Sequence, residues 1–177
     1  MISVREITKQ DIEPLADYWY KATPEFLISM GVDISKMFER EKLVENLEKQ
    51  ITQKYDEKQA YCIIWLLDGE PVGHNNVNDI VFGERANMHL HMWKLGERKR
   101  GLGPEFIKLA LPYFFENLKL KVLYCEPSAH NLAPNKALSK VGFEFVKEYM
   151  TVPSIICSEQ LTKQWRMTRE MYKSLKK

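Results

Sequence analysis

The sequence predicts an α/β fold, a mixed central sheet of six to seven strands flanked by helices on both faces. Three observations predict it. Apolar runs with strand periodicity dominate the middle of the chain, and amphipathic helical stretches then alternate with short strands, the order that lays helices across a sheet. At 177 residues, 45% hydrophobic and 28% charged, the chain has the length and composition of one soluble domain, expected over residues 1–177, with a core that needs no staples. No repeats or low-complexity tracts interrupt it.

The first strand is expected at Ile2 to Ile7. Thr8, with Asp11 as its reciprocal partner, then opens a helix carrying Ile12, Leu15, Ala16 and Trp19 on one face. Pro24 and Gly31 break the next segment, aromatic and mobile in character (Phe26, Met30, Met37, Phe38). From Glu39 to Tyr55, Leu43, Leu47, Ile51 and Tyr55 recur at helical spacing. Ala60 to Leu67 reads as an apolar strand, Asp68-Gly69 as a hairpin turn, and Val72 as the start of the return strand. That strand turns polar at Gly73 to Asn78, so His74-Asn75-Asn76 either lines an acceptor site or belongs to an edge strand. Ala86 to Lys94 alternates strictly, Met88, Leu90 and Met92 against Asn87, His89, His91 and Trp93. A helix from Glu105 to Asn117 contains Pro112, which predicts a kink near Lys108 or a helix that re-forms after it. A strand at Lys121 to Cys125, a short helix at Leu132 to Val141, and strands at Phe143 to Met150 and Leu161 to Thr168 complete the order.

The most informative segment is Arg98-Lys99-Arg100-Gly101-Leu102-Gly103, between an apolar strand and an apolar helix. A glycine loop at a helix start aims several unpaired backbone N–H groups at one place, reinforced by the positive end of the helix dipole. Glycine lets a ligand approach the backbone closely, and three consecutive cations favour phosphates. Pro104 suits the first helical turn but subtracts one donor. The loop is expected to hold a pyrophosphate.

Downstream, Glu126-Pro127-Ser128-Ala129-His130-Asn131 leads into Leu132-Ala133-Pro134, and Gly142-Phe143 closes the short helix. With the loop, these residues resemble the GNAT family of N-acetyltransferases, whose central motif is Gln or Arg, two residues, Gly, one residue, then Gly or Ala, with an Asn and a later Gly-Phe at the spacing found here. The resemblance runs from about Tyr61 to Glu170 and is strongest from Met88 to Phe145. The segment at Glu126 to Asn131 looks like that of the aminoglycoside and related small-amine branch, while Trp165 to Glu170 is similar to the closing strand of the branch that acetylates ribosomal-protein N-termini.

The resemblance implies a sheet whose central strands splay apart and an acetyl-CoA-dependent acyltransferase, with direct attack of a primary amine in a ternary complex. Acetyl-CoA would be the co-substrate, held by Arg98, Lys99, Arg100, Gly101, Leu102 and Gly103 at the pyrophosphate. Met92, Trp93 and Lys94 would hold the arm, and Asn131 and Lys136 would lie beside it. Glu126, at a strand end beside the splay, is the candidate base, against the reading of a solvated carboxylate. Two departures concern the group that protonates the thiolate: Leu138 stands where many members have Tyr, and Pro134 where the ribosomal-protein branch often has Ser. Tyr149, Ser128 or water then takes that role, and Tyr149 is carried forward with Glu126 as catalytic. Asn131 is also expected to cap the short helix.

Other classes are disfavoured. A net charge of +2 argues no nucleic-acid partner. The three widely spaced cysteines read as reduced thiols, no apolar run approaches a membrane span, and no signal peptide is evident, so a cytoplasmic protein is expected. His89 and His91 lack further ligands at motif spacing, so no metal is expected. They are amine-side contacts or solvent-facing residues. A dinucleotide-binding domain would need a third glycine where Phe106 stands. The alternative is a non-catalytic acyl-CoA-binding or sensing module. The expected partner is a small-molecule or peptide amine, and the expected state a monomer or homodimer.

Overall fold

A computed structural model describes residues 1–94, 96 and 101–175. The strands are β1 (Ile2–Glu6), β2 (Tyr61–Leu67), β3 (Glu70–Val81), β4 (Arg85–Met92), β5 (Val122–Cys125), β6 (Glu144–Thr151) and β7 (Gln160–Thr168). The helices are α1 (Ile12–Tyr20), α2 (Pro24–Ser29), α3 (Arg40–Thr52), α4 (Gly103–Pro112), α5 (Leu132–Val141) and α6 (Arg169–Ser174). The strands form one seven-stranded sheet in the order β1-β2-β3-β4-β5-β7-β6. All neighbours are antiparallel except β4 and β5.

Side-chain alternation gives the sheet two apolar faces, each covered by helices. Tyr61, Ile63, Val77, Met88 and Cys125 pack with Phe114, Phe115, Leu138 and Tyr172, the side of α4, α5 and α6. Cys62 and Ile64 face the other way, against Ile12, Leu15 and Leu47 of α1 and α3. Each large side chain so buried contributes about 1.5–3 kcal/mol relative to exposure. The β2–β3 turn is the tight one expected, since Asp68 (φ 52°) and Gly69 (φ 85°) both take positive φ. Asp11 fixes the entry to α1 by accepting from the Thr8 N–H and hydroxyl, each at 2.8 Å, and from both guanidinium nitrogens of Arg5.

Four expectations change. The polar run His74-Asn75-Asn76 is not at an edge, because β3 lies between β2 and β4 and both His74 and Asn75 are buried. The break expected at Pro24 is the start of α2, with the Thr23 hydroxyl accepting from the Phe26 N–H. Proline is tolerated there because that N–H needs no helical partner. α3 ends at Thr52, and Tyr55 opens a separate turn from which its hydroxyl reaches Glu6 at 2.7 Å. α4 runs unbroken through Lys108 to Pro112, and the irregularity falls after it as a π-helical turn at Tyr113–Asn117, where wider spacing absorbs the lost hydrogen bond.

Two irregularities in the sheet position the site. The β4–β5 ladder runs from Arg85–Val122 to Met88–Cys125 and stops, while β4 continues beside β3 to Met92. Beyond that point the sheet parts. In β6, pairing with β7 slips between Phe145 and Lys147, so that Val146 is an extra residue.

Candidate active site

Glu126 follows Cys125, the last paired residue of β5, at the point where the sheet parts. Cys125 faces the α4 core, and alternation turns Glu126 to the opposite side, toward α1 and α3. Its carboxylate is held. Tyr149 donates its hydroxyl to Oε1 at 2.5 Å, and the Gln164 amide donates to the same oxygen at 2.6 Å. Burial and the bond to Glu126 both push the Tyr149 phenol up, so it is protonated at neutral pH.

Glu126 lines a cavity of about 380 Å³ on the α1/α3 side of the sheet. Its floor is the polar ladder of β3 and β4, where Asn76 pairs with His89 and His74 with His91. Trp93 donates its indole N–H to Nδ1 of His74 at 2.8 Å, which fixes the neutral tautomer with hydrogen on Nε2. Burial lowers the His74 pKa to about 3 and lowers that of His89 as well. Trp19, Met30, Met37 and Phe38 supply apolar walls. Among the described residues lining the cavity, Glu126 is the single carboxylate.

The roof joins two distant segments. Val32 bridges Cys157, the Asp33 N–H donates to the Ile156 carbonyl at 2.8 Å, and the Ser158 N–H to the Gly31 carbonyl at 3.2 Å. Lys36 adds an ammonium bond to the Cys157 carbonyl at 3.1 Å.

A second opening, about 900 Å³, lies between the start of α4, the start of α5 and the free part of β4. Met92, Gly101, Gly103, Asn131 and Lys136 line it. Gly101 takes φ +71°, the left-handed region, and a Cβ built there meets nothing within 4 Å. Leu102 packs partly buried with Trp65 and Phe106 and is not among the residues lining the opening. Trp93 turns its ring to the other side of the sheet, and Lys94 is exposed. Arg98, Lys99 and Arg100 lie outside the described residues. Leu90, Ser128, Asn131 and Pro134 line both cavities, so the two meet beside the parting of the sheet.

Asn131 stands at the N-cap position of α5, but its side chain makes no cap bond. The turn is held instead by Asn135, which does not cap the helix. Its amide donates to the Ser128 carbonyl at 2.9 Å and the Asn131 carbonyl at 2.7 Å, and its oxygen accepts from the Trp165 indole at 2.8 Å. This buried residue ties the loop after Glu126 to β7. It sits three residues before Leu138 on the buried stripe of α5, and a polar side chain on that stripe was the available signal. Gln164, the second donor to Glu126, left no such signal. Leu138 is fully buried in the core.

Burial raises the Cys62, Cys125 and Cys157 thiols above their ordinary value, so none is a thiolate at neutral pH. All three are free. Among the described residues no cluster of His, Cys, Asp and Glu suits a metal, and no helix is long and apolar enough to cross a membrane.

No curated protein sequence matches the chain. Among solved structures, the aminoglycoside acetyltransferase AAC(6')-Ib bound to coenzyme A is 14% identical with a TM-score of 0.74, the whole of both chains being covered. The spermidine N-acetyltransferase of Vibrio cholerae, bound to CoA and spermine, is 15% identical with a TM-score of 0.76 over 97% of each chain. At such identities the likeness carries the fold. The family-level match is to the acetyltransferase (GNAT) domain over residues 2–144. The chain belongs to the GNAT family of acetyl-CoA-dependent N-acetyltransferases.

Proposed function

We propose that residues 1–177 form one acetyltransferase unit that moves an acetyl group from acetyl-CoA to a singly charged primary amine, by direct attack in a ternary complex. One observation carries this reading: Glu126, held by Tyr149 and Gln164, stands in the smaller cavity where the larger one joins it. The larger cavity takes the CoA arm along β4 near Met92, with phosphate at the backbone of Gly101 to Gly103 and the start of α4. The smaller takes the acceptor.

In this reading Glu126 removes a proton from the ammonium, directly or through a water, and the free amine attacks the thioester carbon. Collapse of the tetrahedral adduct breaks the carbon–sulfur bond, the nitrogen gives up its second proton to solvent, and Tyr149 donates a proton to the leaving thiolate. The buried, protonated cysteines support direct transfer over an acyl-enzyme. One carboxylate offsets one ammonium, and a polycation would need several. The neighbours that act on spermidine or aminoglycosides are therefore guides to the fold, and this acceptor carries its amine on a partly apolar body.

The test is a thermal-shift measurement with acetyl-CoA, then thiol release against a panel of amines. Stabilisation by acetyl-CoA and turnover of aromatic, aliphatic or peptide monoamines are expected. A strong preference for spermine or a polycationic aminoglycoside overturns the acceptor assignment.

A further inference from the structure

The polar run of β3 serves two sides of the sheet. Asn75 faces the α4 side, where its oxygen accepts from the Trp65 indole and its amide reaches Met88 Sδ at 3.3 Å. His74 and Asn76 alternate to the other side and line the smaller cavity. Asparagine is a poor strand former, and in a central strand it is expected to have a partner, as Asn75 has. The Asn76 side chain has no hydrogen-bond partner among the described residues.

His74 is half engaged. Its Nδ1 accepts from the Trp93 indole at 2.8 Å, so Nε2 carries the hydrogen. That N–H meets no acceptor among the described residues, although His74 is only 2% exposed. Neither the His74 N–H nor the Asn76 amide is sealed inside the protein. Each opens on the cavity that its residue lines, and a donor on such a wall is costly to leave without an acceptor.

Two donors on one face of β3 suit an oxygen that accepts. That oxygen is not part of an anion. Among the described residues lining the cavity there is no lysine or arginine, so a carboxylate would give up its hydration without meeting a cation. A neutral carbonyl loses little hydration and satisfies both donors.

We infer that His74 and Asn76 are specificity-determining residues, and that the acceptor is a monoamine whose body carries an uncharged carbonyl oxygen that takes their N–H groups. This rests on the assignment of the smaller cavity to the acceptor. Asn76 pairs with His89 of β4, and Glu126 follows β5, the next strand. Two strand spacings then set the amine and the carbonyl roughly 5–10 Å apart.

The experiment uses primary amines of graded length that end in an N,N-dimethylamide, a branched hydrocarbon of the same shape, or a carboxylate. The dimethylamide keeps the accepting oxygen and has no N–H of its own. Binding is read by calorimetry with CoA present, and kcat/KM by thiol release. Dimethylamide members are expected to bind about tenfold better than hydrocarbon members of the same length, the scale of one or two buried hydrogen bonds. Carboxylate members should be the weakest. Asn76→Leu has a similar volume and removes no hydrogen bond within the described residues, so it should keep its melting temperature and CoA affinity while the preference shrinks severalfold. Equal binding of dimethylamide and hydrocarbon members, an undiminished preference in Asn76→Leu, or tightest binding by carboxylate members overturns the inference. If the preference appears in binding and no amine is acetylated, the catalytic reading fails and this one stands. If other amines are acetylated and no member of the series binds, the reverse holds.

Discussion

Tyr149 Oη lies 2.5 Å from Glu126 Oε1, so the candidate acid and the candidate base are hydrogen-bonded to each other before any substrate arrives. The carboxylate lies beside the central gap of the sheet and the phenol on its edge strand. In the proposed reaction a proton taken up at Glu126 and one released at Tyr149 leave a carboxylic acid beside a phenolate, and transfer across their hydrogen bond restores the pair. Burial raises the phenol, which keeps it in the donating form through the neutral range.

Glu126→Gln keeps the shape and removes the basic oxygen. General-base catalysis supplies about 100-fold to 10,000-fold, and kcat should fall on that scale at neutral pH while calorimetry finds CoA binding unchanged. Turnover within about twofold of the parent across a pH profile means that another group, or bulk water, is the base.

Tyr149→Phe removes the hydroxyl and leaves the ring, over which the Lys147 ammonium lies 4.0 Å from the centroid. A fall in kcat of at least about tenfold, with KM for acetyl-CoA unchanged, is expected of a group that protonates the leaving thiolate. A rise in KM for the amine with kcat intact would instead assign Tyr149 to acceptor positioning.

Gly101→Val places a β-branched side chain at φ +71°, where L residues are strained, on a wall of the larger cavity. The Kd for CoA should rise by tenfold or more, a loss of about 1.4 kcal/mol or more of binding free energy. Isothermal titration that finds parental affinity in a folded variant removes the phosphate from this loop.

Acid should destabilise the fold in a defined window. His74 is neutral when folded, with its pKa lowered to about 3 by burial, so the unfolded chain takes up the extra proton first as pH falls. Its contribution is complete above pH of about 6.5, the unperturbed value, and is lost progressively toward pH 3, at up to about 1.4 kcal/mol per pH unit. His89 acts with the same sign. Asp11, lowered by Arg5 and Thr8, adds loss only near and below the ordinary carboxylate range. His74→Gln retains an acceptor for the Trp93 indole, and urea unfolding between pH 6.5 and 4.5 should show a shallower decline than in the parent. Parallel curves would sink the assignment.

Much of this architecture was legible because its signals are local. The Asp68-Gly69 turn, the stripe of α1, the glycine at the start of α4 and the bounds of α5 each follow from a few adjacent residues. The Gly-Leu-Gly loop and the Asn-to-Gly-Phe spacing carried the family. What escaped depends on strand order and on partners far apart in the chain. His74 and Asn75 look like edge residues until β4 covers them. Asn135 looks like an ordinary helical polar residue until Trp165 lies over it. Gln164 meets Glu126 only because β7 inserts between β5 and β6, which no spacing in the sequence states. Asn131, placed as a cap, makes no side-chain cap bond, and Asn135 holds the same turn by donating to the Ser128 and Asn131 carbonyls.

Val146 decides by parity alone which face of the sheet Tyr149 shares. Phe145 pairs with Trp165 on the face of α4 and α5, and in an uninterrupted strand Tyr149, four residues on, would share that face. The extra residue resets the count, so Tyr149 pairs with Thr162 and shares the side of Gln164 and Glu126. Deleting Val146 would conserve every residue named in the reaction and still turn the phenol away from it. At this position a change in chain length by one changes which side chains surround Glu126.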